Sequence, residues 1–600
     1  MIRKKLKQYL GQLENKVEPI DEFSLGEDIG KILNVKQEQL TNSEELAEYI
    51  AFKFVANYRD QKTGGTYYGP MFVLTNKQGK PVEFPSIQQI DEHVLDYWRV
   101  RAKESKHPIL VNRYANLVFD FEPAVLKKNI DFKIAQKVID STIEICEKNI
   151  NDGLGCKSKL ERALTLAIQI NDAQRLQKLK DVLIKTEDKF AEDNKPGLWG
   201  YAFRWLLLNN SEKITLSENE KNRLVNDLEK KLGRLMANKE PDPWHVECAV
   251  KPLAEYYAKN KDENAIKAVL DKLELAFRKN KRANSDGMLI SNYLEKLIEI
   301  YLQYSSFNFA KEAREKIINE LSNLGDRGKF ATSQISTEVT IKNEDIDKFI
   351  KSIFGSGKSD PLEKIMAKIA VNLMVKKKFS ENQLNDLVKK HPVSYLCSHV
   401  IASEDGYPVA KFGSIDEDYD SHLLKNFSRN LHFQSFFLKV AFDEIIKRYT
   451  PEKVTDILLL SPVFRSEDKN YILKLLKSFW AKDYLVTCCL SIPIIEDAIR
   501  NLHRINNRTF IKPSRWRNGY DVFGLDELLR GGLIKEVYKT LGEDVEYYLR
   551  VLLTEPIGWN LRNNFAHGIN KKLFESEDVA GRLIHILICL SLIRNNKPNK

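Results

Sequence analysis

Apolar residues recur every three or four positions through most of this chain, the spacing of amphipathic helices. EELAEYIAFKFVANY (44–58) shows this period, with Ser43 placed to cap the helix, and IQQIDEHVLDYWRVRA and HPILVNRYANLVFDFEP repeat it. The segment MFVLTNKQGKPVEFP instead alternates around a polar turn, which predicts a β-hairpin spanning about Met71 to Phe84. Together these elements predict an N-terminal α-rich module with one β-hairpin, residues 1–125.

The middle of the chain, residues 126–400, reads as a succession of helices. Short polar breaks separate the apolar stretches, as in NDGLG, EDNKPG, NKEPDP and KNKDEN. Tandem helices of this kind favour an α-solenoid-like helical array, although no strict repeat is found. Arrays of this type usually build long binding surfaces.

The last third also has the helical period. After a loop at 402–422, residues 401–480 are predicted to be connecting helices. Residues 481–600 then form a helical bundle that ends in a long helix at 575–594. The fold class predicted for the whole chain is therefore mainly α.

Composition narrows the class of protein. The chain has 600 residues, 43% of them hydrophobic, which is enough for several packed domains. Its 94 basic and 84 acidic residues leave a net charge of +10, a mild excess that is compatible with nucleic acid as a partner. Seven cysteines without a CxxC pair argue against a disulfide framework.

The cysteine content favours a reducing cytoplasm, and two further segments argue against membrane association or export. The run LIHILICLSLI (583–593) is about half the length that crosses a bilayer. The basic N-terminus lacks the apolar core of a signal peptide.

Three motifs resemble ligand sites but depart from the patterns that would make them so. GSGKSD (355–360) follows a helical stretch and lacks the first glycine of a phosphate-binding loop, so a linker is predicted. DEDYDSH (416–422) lacks the glycine and glutamate of a calcium loop, which favours a solvated loop. WHVEC (244–248) offers no second ligand pair and is assigned to packing. We expect no metal and no cofactor.

The segment WNLRNNFAHG (559–568) carries the strongest candidate chemistry. At about 100° per residue, Leu561, Phe565 and Ile569 fall on one side of a helix, while Asn563 and His567 lie opposite, flanked by Arg562. One side is suited to docking and the other to chemistry. The simpler alternative is a well-capped helix end before Gly568.

The spacing of Arg562 and His567, with Asn563 directly after the arginine, resembles the R-x4-H motif of the HEPN superfamily. KDYLVTCCLSIPIIEDAIRNL (482–502), GGLIKEVYKTLGEDVEYYLRVLL (531–553) and GWNLRNNFAHGI (558–569) resemble a narrower group within it. That group shares this C-terminal domain with the ER membrane-associated RNA degradation protein. The N-terminal stretch WRVRAKESKHPILVNRYANLVFDF (98–121) resembles the module that often accompanies this domain.

The resemblance implies a HEPN bundle of four to five helices that forms a homodimer, with two motifs across one cleft. In active HEPN proteins that cleft is a metal-independent endoribonuclease, whereas some relatives only bind. By this analogy His567 acts as base or acid and Arg562 stabilises the phosphorane, while Asn563 orients His567 or holds a phosphate. Glu496 and Arg500, spaced i, i+4, are expected to form an ion pair that is structural or that supports these residues indirectly.

The function expected from this resemblance is cleavage of RNA, either tRNA or mRNA. The protein would then be a toxin or antiviral defence effector that a protein trigger or inhibitor controls. Two alternatives stay open. One is a noncatalytic dimeric helical scaffold that binds protein through its array. The other is a nucleotide- or RNA-binding regulator, which a ligand would stabilise without any RNA cleavage.

Overall fold

The computed structural model is mainly helical, as predicted from the apolar periodicity. It describes residues 2–16, 18–34, 40, 42–56, 66–75, 81–127, 131–209, 213–280, 287–324, 340–355, 360–403, 407–515 and 518–594. Contacts divide the chain into two compact units, one containing residues 1–285 and 299–314 and the other residues 286–298 and 315–600.

The first unit is built from sequential helices and two small strand pairs. Its helices are α1 (Lys4–Glu14), α2 (Glu22–Leu33), α3 (Ser43–Ala51), α4 (Glu92–Glu104), α5 (Pro108–Leu126), α6 (Phe132–Glu147), α7 (Gly153–Gln169), α8 (Ala173–Phe190), α9 (Tyr201–Phe203), α10 (Glu218–Ala237), α11 (Pro243–Lys259) and α12 (Glu263–Lys279). Its strands are β1 (Val55–Ala56), β2 (Tyr68–Gly69), β3 (Phe72–Thr75) and β4 (Pro81–Phe84). Helices α13 (Gly287–Gln303) and α14 (Asn308–Ser322) are divided between the two units.

The predicted hairpin is confirmed, since β3 and β4 pair antiparallel with Phe72 opposite Phe84. The expected capping of α3 by Ser43 is wrong. The Asn42 side chain caps this helix by accepting from the backbone N–H groups of Glu44 and Glu45, because it stands one position earlier and has the extended backbone of an N-cap.

The polar breaks of the middle region act as helix starts. Asp152, Asp242 and Asp262, which come from three of these breaks, cap α7, α11 and α12 through side-chain hydrogen bonds. Successive helices such as α6 and α7, or α11 and α12, pack against each other. This arrangement is consistent with the predicted helical array.

The second unit contains the remaining elements. Its helices are α15 (Asn343–Phe354), α16 (Leu362–Asn372), α17 (Lys377–Lys390), α18 (Pro392–Leu396), α19 (Tyr419–Arg448), α20 (Pro451–Leu458), α21 (Lys469–Trp480), α22 (Tyr484–Ile505), α23 (Leu525–Arg530), α24 (Leu533–Tyr538), α25 (Gly542–Leu553), α26 (Leu561–Ala566) and α27 (Glu577–Leu590). Its strands are β5 (His399–Ala402), β6 (Pro408–Phe412), β7 (Ile511–Pro513) and β8 (Tyr520–Val522).

Two strand pairs of this unit were not predicted: β5 straddles the end of the predicted array at residue 400, β6 lies in the predicted loop, and β7 and β8 lie within the predicted bundle 481–600. β5 pairs with β6 and β7 with β8, each antiparallel. The strands of the second pair are mostly exposed, so they carry little apolar alternation that sequence analysis could detect. The predicted loop at 402–422 therefore contains β6, and α19 begins inside it at Tyr419.

Helix α27 lies at the centre of the second unit. It packs against α16, α19 and α22, and every residue from Val579 to Leu590 is buried. A helix that is apolar on nearly all sides requires neighbours all round. The core around it runs from Ile353 to Ile593, so the predicted bundle 481–600 shares one core with the helices before it. Among the described residues, no helix combines the length and apolar character needed to cross a bilayer.

Candidate functional site

The segment WNLRNNFAHG forms a short helix, α26, that follows α25 and docks by its apolar side. Leu561 is fully buried, and the ring of the half-buried Phe565 packs edge-on against Phe574 with 5.6 Å between centroids. The docking role predicted for these two residues is confirmed. Six residues cannot form a stable helix alone, so α26 depends on this packing.

The helix ends sooner than predicted, which changes the position of Ile569. Gly568 adopts a left-handed conformation with φ of 65°, its N–H bonds the carbonyl of Phe565, and the N–H of Ile569 bonds that of Asn564 at 2.8 Å. This pattern is a Schellman helix end. The expectation that Ile569 belongs to the apolar side of the helix is therefore wrong, because the chain turns away before it.

Arg562 is fixed by a carboxylate from another helix. Its Nε atom donates to Oε2 of Glu496 on α22 at 3.1 Å, and the Arg500 guanidinium donates to Oε1 of the same carboxylate at 2.9 Å. The predicted ion pair between Glu496 and Arg500 is confirmed. Glu496 thus bridges two arginines, a relationship that the sequence analysis did not predict.

Asn563 takes part in the same polar network. Its amide Nδ2 donates to Oδ1 of Asn560 at 2.8 Å and lies 3.5 Å from the carbonyl oxygen of Thr554, while its Oδ1 lies 3.5 Å from a guanidinium nitrogen of Arg562. Its link to His567 is through the backbone, where the His567 N–H bonds the Asn563 carbonyl at 3.0 Å. The side chain is therefore oriented toward Arg562, its neighbour in sequence.

His567 stands at the C-terminal cap of α26 with an exposed side chain. Within the part of the chain that the structure describes, nothing forms a hydrogen bond or ion pair with its imidazole. Both ring nitrogens are thus open to a ligand or a second protein copy. The structure brings Glu496, Arg500, Arg562 and Asn563 into one network and places the His567 ring outside it.

Asn560 was not singled out from the sequence, although it shapes the site. It precedes α26 in a left-handed conformation with φ of 51° and holds the Asn563 amide. An asparagine directly before a predicted helix was the sequence signal for this conformation, since asparagine tolerates the left-handed region better than most residue types.

The described residues of the three weaker motifs lie in helices or beside them. The helix before GSGKSD is α15, while residues 356–359 lie outside the described residues. In DEDYDSH, Asp418 caps α19, and His245 and Cys248 of WHVEC lie on α11. Among the described residues, no three His, Cys, Asp or Glu side chains are grouped to hold a metal ion.

Comparisons of the chain with protein-family models, curated proteins and solved structures gave no match in any of the three. The likeness of this segment to a HEPN motif therefore depends on its sequence alone.

Proposed function

We propose that this protein is a metal-independent endoribonuclease whose active cleft forms between the C-terminal regions of two copies. The observation that carries the proposal is the exposed His567 imidazole, five residues after an arginine that Glu496 holds in place. An imidazole can transfer protons and a guanidinium can stabilise the phosphorane, which are two of the tasks in cleavage of RNA without a metal.

The chemistry begins with the 2′-hydroxyl of RNA, which attacks the adjacent phosphorus. One group removes the hydroxyl proton, another protonates the departing 5′-oxygen, and positive charge stabilises the phosphorane. His567 is suited to proton transfer and Arg562 to contact with the non-bridging oxygens. The products are a 2′,3′-cyclic phosphate and a 5′-hydroxyl.

A single histidine cannot serve as base and acid in the same step, which is the chemical reason for a dimer. Two copies would place one His567 on each side of the phosphodiester. The exposed position of the ring at the end of α26 leaves it accessible to such a partner. Light scattering during size-exclusion chromatography measures the oligomeric state directly.

The test is RNA cleavage by the purified protein in the presence of a chelator. We expect cleavage by the wild type, loss of it in His567→Ala and Arg562→Gln, and retention in His93→Ala, which removes an exposed histidine of α4. Circular dichroism establishes that each variant is folded. An RNA with a 2′-deoxy substitution at the cut site must resist cleavage, and an unchanged rate in His567→Ala refutes the proposal.

For the cellular role we propose a toxin or antiviral defence effector that cleaves tRNA or mRNA and whose activity is controlled by a protein trigger or inhibitor. Induced expression of the wild type should then arrest growth, while His567→Ala should not. The competing function is a noncatalytic dimeric scaffold or an RNA-binding regulator. The ion pair between Arg562 and Glu496 favours that alternative, because it gives the arginine a structural role. A folded dimer that binds RNA without cutting it would support this second function.

A further inference from the structure

A cavity of about 450 Å³ opens in the second unit beside the first turns of α19. Two lining side chains, Lys425 and Arg429, are cationic, and three are imidazoles, those of His391, His399 and His422. No acidic residue lines this cavity among the residues that the structure describes. Its volume is within the range of small-molecule binding sites.

The cations of the cavity are not neutralised by carboxylates. Within the described residues, neither Lys425 nor Arg429 forms an ion pair. Partial burial and the neighbouring Arg429 lower the pKa of Lys425. Burial, Lys425 and His422 likewise lower the pKa of His399. Burial is the larger cause of both shifts and the grouping of positive charge without a counter-ion adds to it, so a bound anion would oppose the second cause.

The basic side chains are held in position before any ligand binds. Lys425 donates to Nδ1 of His399 at 3.1 Å, and the His422 Nε2 atom lies 3.0 Å from the carbonyl oxygen of Gly413. One nitrogen of Arg429 donates to Oδ1 of Asn426 at 2.6 Å, leaving the other side of its guanidinium available. Asn426 is buried and is itself fixed by the Ser380 carbonyl. This is a preorganised set of donors.

Phosphate fits this arrangement better than a carboxylate does, because a forked guanidinium and an ammonium can engage different oxygens of one phosphate. An aromatic surface is also present, since Tyr395 lines the cavity with its ring 5.5 Å from that of His422. A ring beside phosphate donors is the combination that binds nucleotides, through stacking of the base and contacts to the phosphate.

The same side of α19 leads toward the candidate cleavage motif. His422, Lys425, Arg429 and His432 follow one another at spacings of three or four residues, which places them along one side of the helix. The His432 ring lies 4.5 Å from that of Trp559, which precedes α26 by two residues. A strand of RNA bound along this side would extend from the cavity toward Arg562.

We propose that this cavity binds the phosphate of a nucleotide unit, either free or within an RNA strand. The phosphate site stands on its own geometry, whereas the RNA source rests on the proposed function. The closing experiments use the non-cleaving His567→Ala protein, so that binding is measured independently of catalysis.

Binding is tested with 5′-AMP by calorimetry and with a labelled single-stranded 10-nucleotide RNA by anisotropy. We expect Lys425→Gln/Arg429→Gln to weaken binding roughly tenfold or more for each charged contact removed. The matched control, Lys453→Gln/Lys474→Gln, removes equal charge from exposed lysines outside the cavity and should bind normally. For RNA, losing two phosphate contacts should also reduce the slope of log affinity against log salt by about 1.4.

The two sources give different results. Binding of 5′-AMP that depends on Lys425 and Arg429 identifies a free nucleotide as a ligand, and dependence with RNA alone identifies the strand. Equal affinity of the cavity variant and the control for both probes overturns the inference, as does failure of the His567→Ala protein to bind both 5′-AMP and the RNA. If the wild type fails to cleave RNA while the cavity variant still loses binding, the nuclease proposal is rejected and the phosphate-binding proposal is supported.

Discussion

The Nε atom of Arg562 donates a 3.1 Å hydrogen bond to Oε2 of Glu496, joining α26 to α22 across 66 positions of sequence. The Arg562 side chain is 30% exposed and that of Glu496 is 17% exposed, so the pair is partly shielded from water. Because the same carboxylate also bonds Arg500, loss of its charge would release two guanidinium groups. Glu496 is therefore the residue on which the orientation of Arg562 depends.

The first prediction concerns this carboxylate. Glu496→Gln should lower the free energy of unfolding by about 1 kcal/mol, because two charge-assisted hydrogen bonds become weaker at a partly exposed site. A double-mutant cycle with Arg562→Gln should give a non-zero coupling energy. Both are measured by urea denaturation. Glu536→Gln is the control, since its pair with Arg508 is more than half exposed and should contribute little. A coupling energy of zero would show that the pair does not anchor α26.

Sequence reasoning could predict part of this network and not the rest. The pairing of Glu496 with Arg500 follows from helical spacing, which places residues four apart on one side of a helix. The pairing with Arg562 depends on how α22 and α26 pack, and local patterns do not contain that information. The end of α26 was similarly ambiguous, because Ile569 has the correct spacing for a helix while Gly568 favours a stop.

The second prediction separates chemistry from stability at His567. Its side chain is exposed and no described group bonds the ring, so His567→Ala should change the free energy of unfolding by less than about 0.5 kcal/mol. Any loss of RNA cleavage in this variant would then report on the reaction itself. Thermal denaturation and cleavage should be measured on one preparation. A marked fall in melting temperature would contradict this view of the site.

The third prediction concerns the turn that follows the motif. Gly568→Ala should destabilise the protein by about 1 kcal/mol, because a side chain is disfavoured at its φ of 65°. Gly568→Asn should cost less, since asparagine tolerates this region. Chemical denaturation compares the two variants. Gly233→Ala serves as a control in the helix interior, where an added methyl group meets no neighbour and should be neutral or stabilising. Equal effects of alanine and asparagine at 568 would argue against a conformational cause.

The cavity at α19 shows a different limit of sequence analysis. The spacing of His422, Lys425 and Arg429 was visible, yet the same spacing is common on solvated helices. What distinguishes the site is His399 from β5, in a hairpin that the apolar pattern did not predict. Only the tertiary structure brings that imidazole to the lysine.

The fourth prediction concerns Arg582, which is fully buried on α27. Its guanidinium donates to the carbonyls of Leu373 and Leu431 and to the hydroxyls of Ser435 and Tyr548, and all four acceptors are uncharged. Arg582→Met should therefore lower the free energy of unfolding by about 2–4 kcal/mol, since it leaves buried acceptors unsatisfied. Lys474→Met, at an exposed position of α21, is the control and should be near neutral. Urea denaturation measures both, and equal stabilities would contradict the structural role of Arg582.

The fifth prediction is a pH dependence that arises at His585, one turn further along α27. Burial and the nearby Arg582 lower its pKa from 6.5 to about 3, and the ring bonds Tyr548 at 2.7 Å. The unfolded chain protonates this imidazole at a higher pH than the folded protein does. The contribution of His585 to the stability is therefore complete above pH 6.5 and is lost as the pH falls toward 3.

Titration of His585 alone should lower the free energy of unfolding by roughly 3 kcal/mol between pH 7.5 and pH 4, at about 1.4 kcal/mol for each pH unit between the two pKa values. Carboxylates also titrate at low pH, so the measurement compares wild type with His585→Asn, which carries no titrating ring. The difference between their unfolding free energies should shrink by that amount as the pH falls. Parallel stability curves from pH 7.5 to pH 4 would mean that His585 is not held neutral in the core.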